Sequence, residues 1–221
     1  MAERPATFPQ QTSFLTHPWV IGGLLLIVLG VAAKFIGDHA IAYFRWDQAY
    51  FDQFGYWPHR WRLIAHISGG MLALLCGPFQ FWMGLREKAM TVHRWIGRLY
   101  LAGVAVGSTG AFLVAVYSEP HSFGVALMGL ASAWIVTSGI AYAAIMRGMV
   151  ALHKEWMARS YIVAFAFVTF RYLDALPIIE RHWGGFPERA ANIAWVSWLV
   201  PLAIFEVILE TWRIWHRQSA N

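Results

Sequence analysis

Between His59 and Tyr100 the chain reads HRWRLIAHISGGMLALLCGPFQFWMGLREKAMTVHRWIGRLY: an apolar run, a short basic loop, and the entry to a second apolar run. About 20 apolar residues in helical form cross the roughly 30 Å hydrocarbon core of a bilayer. With 58% hydrophobic content over 221 residues, little is left for a soluble domain, so the expected fold is all-α, one polytopic membrane helix bundle. At helical spacing, His59, His66, Ala73, Gly77 and Gln80 share one face of the first run, while Leu63, Leu72, Leu75 and Phe79 lie elsewhere. Such a polar and small stripe turns toward protein in lipid, because ionisable groups are costly against acyl chains.

Six spans are expected, at roughly 18–36, 58–83, 91–117, 122–146, 153–176 and 190–213, within one transmembrane domain, 18–221. Residues 1–17 carry Pro5 and Pro9 and read as a mobile tail. The first span competes with a signal peptide; Val31-Ala32-Ala33 makes a poor cleavage site, so a retained anchor is expected. Residues 37–57 mix aromatics with Asp38, Asp47, Asp52 and Arg45, as an interfacial segment would. Pro58 suits a helix start, and Gly77-Pro78 predicts a kink. Gly103, Gly107 and Gly110 give the third span a close-packing surface; Arg171 and Asp174, three apart, are expected to pair, and Glu206 to meet a neighbouring helix end.

The net charge of +5 does not point to nucleic acid, because Lys and Arg flank the apolar segments, where they meet headgroups. With six spans, both termini and the loops after spans two and four hold Arg4, Arg86, Lys88, Arg94, Arg98, Arg147, Lys154, Arg159, Arg213 and Arg217, ten of the 17 basic residues. That bias puts both termini in the cytoplasm. Cys76, alone in an apolar helix, offers neither a disulfide nor a CxxC pair, so any metal falls to histidine.

This topology places His93 and His153 near one face and His66, His39, His59, His121 and His182 in the other half. His93-Arg94-Trp95 with Arg98, and His153-Lys154-Glu155-Trp156 with Arg159, repeat one pattern at two helix starts. Two imidazoles from non-adjacent helices hold a haem iron from both sides, and arginines neutralise its propionates. A b-type haem ligated by His93 and His153, with Arg98 and Arg159 at the propionates, follows as an expectation. A second cofactor would need His66 with His121, the one candidate at the start of the fourth span. The competing reading is interfacial anchoring, since the same pattern recurs at His59-Arg60-Trp61.

The blocks HISGGMLALLCGPFQF, HRWIGRLY and HKEWMARSY, in this order and spacing, resemble the core of a family of bacterial multi-span membrane proteins of unknown function, over roughly residues 60–175. That resemblance implies a bacterial cytoplasmic membrane. The chain is also similar, more loosely, to six-helix ascorbate-dependent b-type cytochromes, whose ligands lie on helices two and four and on helices three and five. This implies a cytochrome-b-like four-helix core in helices two to five. His93 and His153 match the three-and-five pair; the fourth helix departs from the pattern, with no internal histidine.

The leading functional reading is a small membrane electron-transfer protein that binds haem b and exchanges electrons with quinol, with His66 and Gln80 contributing to a quinone or second-cofactor site. One alternative is a non-enzymatic accessory or assembly subunit of a larger membrane complex. Another is a small-molecule or metal transporter using His66, Gln80 and Glu206. No hydrolase, nucleotide or HExxH motif is present.

Overall fold

The computed structural model describes residues 18–52, 55–186 and 188–218; the expected tail, 1–17, lies outside them. All regular structure among these residues is helical: α1 Pro18–Phe35, α2 Gln48–Asp52, α3 Arg60–Arg86, α4 Met90–Ala115, α5 His121–Met146, α6 Val150–Ala164, α7 Ala166–Asp174, α8 Pro177–Trp183 and α9 Glu188–Gln218. Five segments are long and apolar enough to cross a membrane alone, and a sixth arises if Val150–Asp174 and the steeply bent Pro177–Trp183 form one span. The chain is a polytopic helical bundle. Leu24, Leu26, Val106, Val136 and Ile208 are among the large apolar side chains exposed on its outside, where a lipid-facing surface places them.

Helices α3, α4, α5 and α6 pack in sequence and close into a ring through α3 and α6; α1 lies on α3, and α9 on α5, α6 and α7. The proximal end holds Pro18 and the turns after Arg86 and Met146; the distal end holds His59, Ser118 and Asp174. Glycine decides the closest crossing. A Cβ on Gly69 of α3 would collide with the Gly107 nitrogen of α4, and one on Gly110 would lie 2.5 Å from the His66 nitrogen. The Gly103, Gly107 and Gly110 surface therefore receives another helix.

Pro78 is buried within α3. A helical proline has no N–H for the carbonyl four residues back, here Leu74. That carbonyl accepts the Tyr161 hydroxyl of α6 at 3.0 Å, and a Cβ on Gly77 would collide with the Tyr161 ring. Gly77-Pro78 thus makes a receptor for one side chain.

Three expectations change. The first span does not end at residue 36: a π turn, Ile36–Ala40, and a 3-10 turn, Ile41–Arg45, continue it to Arg45. Lys34 and Asp38 pair at 2.8 Å, and Ile36, Ala40 and Tyr43 supply a buried stripe. Only the remainder of 37–57, with α2 and a 3-10 turn at Trp57–His59 that carries Pro58, is separate. The fifth expected helix breaks at Phe165, because α6 is tied to α3 through Tyr161 whereas α7 packs on α1 and α9. Asp174 pairs with Arg189 of α9 at 2.8 Å, and not with Arg171.

The proline-freed carbonyl yields a test. Tyr161→Phe leaves Leu74 O without its partner and should cost about 1–2 kcal/mol, read as a lower unfolding midpoint in detergent. Gly69→Leu should cost more and reduce the monodisperse fraction; an unchanged midpoint in both would remove these contacts from the account.

Candidate functional site

The buried polar groups sort onto two levels. At mid-bundle the hydroxyls of Tyr100 (α4), Ser160 (α6) and Ser138 (α5) form a chain with 2.7 Å at each link, and Tyr100 and Ser160 are fully buried. This chain fixes the register of α4 against α6, which run in the same direction across the centre of the ring. His93 and His153 each lie seven residues before those partners. Seven residues return to nearly the same helix face, roughly 10.5 Å along the axis. The two imidazoles thus sit at one proximal level.

Each histidine is set by its neighbours. The His153 Nδ1–H donates to the Ala141 carbonyl at 2.9 Å, which leaves Nε2 with the lone pair in the neutral ring. His93 lies beside Gly84, its carbonyl accepts the Gln80 side-chain N–H at 2.7 Å, and its Nδ1 is buried with no partner among the described residues. Gln80 therefore serves His93, not His66, from which it is separated by 14 residues, roughly 21 Å of helix. Arg98 is exposed and stacks over Trp95 at 4.6 Å.

Arg159 is held elsewhere. Its Nε and one terminal nitrogen bind the two oxygens of Glu206 on α9, at 2.6 and 2.8 Å, and Glu155 lies 3.7 Å away. Arg213 joins Glu155 and Glu210, and Trp156 and Phe205 flank Arg159. A forked pair of this kind removes a buried charge from the apolar phase and locks α6 to α9.

The distal level contains a cavity of about 190 Å³ between α1, α3, α4, α5 and the α6–α7 break, walled largely by Leu, Ile, Val, Ala and Phe. His66 lines it. Its Nδ1–H donates to the Gly107 carbonyl at 2.9 Å, its ring meets the edge of Phe167, and Nε2 keeps the lone pair. Arg171, His39, Tyr43 and Tyr56 also border the cavity. His121 does not: it is exposed and bonds Glu119 at 3.0 Å, so the structure does not bring it to His66.

The sequence sets Tyr100 on the His93 face and Ser160 and Arg171 on the His153 face, but gives Tyr100 and Ser160 no bond to each other and Arg171 only Asp174 as a partner. The seven-residue offsets from His93 to Tyr100 and from His153 to Ser160 were a readable signal; nothing local marked Arg171 as a cavity residue. Among the described residues no three His, Cys, Asp or Glu side chains converge as metal ligands. What the proximal level offers is two imidazoles on non-adjacent helices at one depth, His93 against α3 and His153 against α5.

The Arg159 pair has a measurable consequence. Arg159→Met should lower stability by about 2–3 kcal/mol by leaving Glu206 unpaired, whereas Arg159→Met with Glu206→Leu should lower it less. Unfolding midpoints in detergent for wild type, single and double variants check the order; a double variant worse than the single would refute it.

No curated protein and no solved structure matches the chain. A family model matches residues 63–209, which take in α4 to α8 entire and most of α3 and α9. The chain belongs to the family described as "Predicted membrane protein (DUF2306)".

Proposed function

We propose that the protein is a membrane electron carrier with one b-type haem held between His93 and His153. The observation that carries this reading is the register of α4 and α6, in which His93 and His153 each lie seven residues before the Tyr100–Ser160 hydrogen bond and so at one proximal level. Further support comes from the buried, unpartnered His93 Nδ1 and from the His153 Nδ1–H bond to a carbonyl, which orients a ligating imidazole and raises its basicity. Haem, when bound, supplies one-electron chemistry. Gln80 would hold the His93 backbone in place, and Arg159, committed to Glu206, would position α6; Arg98, exposed on Trp95, is not placed to meet a propionate.

The test is the visible spectrum of detergent-purified protein from haem-replete cells, oxidised and then dithionite-reduced. A Soret band that shifts on reduction and a sharp reduced α band are expected, abolished in His93→Ala and His153→Ala and retained in His66→Ala. A featureless spectrum, or bands that persist in both His93→Ala and His153→Ala, would refute the assignment.

A further inference from the structure

We propose that the distal cavity binds the head ring of a lipid-soluble quinol, with His66 Nε2 accepting from one hydroxyl and the Arg171 guanidinium donating to the opposite oxygen. The volume sets the scale. A cavity of roughly 150 Å³ admits benzene, so about 190 Å³ accommodates a single substituted ring and is too small for a porphyrin. Cavities lined by apolar and aromatic groups with a few placed polar ones are the usual form of a small-ligand site.

The polar groups set the chemistry. His66 has its Nδ1–H committed to Gly107, so it faces the cavity as an acceptor and asks for a ligand O–H. Arg171 is a donor only, and it asks for a ligand oxygen. Among the described residues Arg171 has no carboxylate partner; its one ring contact is Phe170 at 5.9 Å. An unneutralised guanidinium at the edge of an apolar cavity is expensive within a bilayer and marks a functional position. Phe167, which meets the His66 ring, and Arg171 are four residues apart on α7. Arg171 therefore borders the cavity about one helical turn, roughly 6 Å of rise, beyond the ring that His66 meets. A quinol can donate at one oxygen and accept at the other; the quinone form has no hydroxyl for His66. The site therefore favours the reduced form. A fatty acid would use Arg171 and leave His66 idle.

This inference names the electron partner of the proposed haem protein, but ring binding itself does not depend on haem. Isothermal titration calorimetry of the purified full chain in detergent, with decylubiquinol and decylubiquinone as probes, tests it directly. Saturable binding near one to one is expected, tighter for decylubiquinol, and weakened at least tenfold in His66→Ala and in Arg171→Gln. Arg171→Gln deletes a charge without opening the core, so it carries the test if His66→Ala fails to fold. No binding, binding unaffected by Arg171→Gln, tighter binding of decylubiquinone, or displacement of decylubiquinol by equimolar palmitate would each overturn the proposal. A colourless protein that binds decylubiquinol as expected would sink the haem reading and leave this one standing; a haem-bearing protein that ignores both probes would do the reverse.

Discussion

The rest of the structure depends on the backbone contact between α3 and α4. At Gly69, Gly103, Gly107 and Gly110 no Cβ stands between the two main chains, and packing of this kind, not hydrophobicity, holds helices together where the solvent is itself apolar. The contact also orients a functional side chain. Only because Gly107 lies against α3 can its carbonyl take the Nδ1–H of His66, and that bond decides which imidazole nitrogen faces the cavity. A bulkier residue at Gly107 would meet Trp134 as well as α3, so the crossing, the cavity wall and the tautomer of His66 form one constraint.

A second constraint concerns polar groups that have no water to turn to. The carbonyl freed by Pro78 goes to Tyr161, the Arg159 charge to Glu206, and the Tyr100 hydroxyl to Ser160. All three partnerships involve α6, and each reaches a different helix: α3, α9 and α4. In the bilayer an unmade hydrogen bond has no water to fall back on, so these pairs fix the rotation and depth of α6. His153 inherits that fixed position.

What was legible in the sequence was what depends on local pattern. Apolar runs marked the spans, Gly103, Gly107 and Gly110 marked a close-packing surface, and Pro58 marked a helix start. What escaped depends on partners distant in the chain. Spacing offered Arg171 as the partner of Asp174, but Arg189 arrives from α9 with better geometry. His66 and Gln80 share a face of α3, yet that face runs the depth of the bundle, and helical rise separates them onto different levels. Asp38 looked too polar for a span until Lys34, one turn earlier, neutralised it. In each case the residue type was read correctly, and its partner could be chosen only by the tertiary fold.

The break at Phe165 ties these strands together. No proline or glycine stands there, so the cause is a division of loyalties: Tyr161 and Arg159 bind α6 to α3 and α9 at and below the break, while Ala166, Val168 and Phe170 bury α7 among α1 and α9 above it. Val163, Ala164 and Phe167 line the cavity at this point, so the irregular turn forms part of the wall beside His66. The helix whose ties hold His153 in register at the proximal level therefore also supplies a wall of the distal cavity.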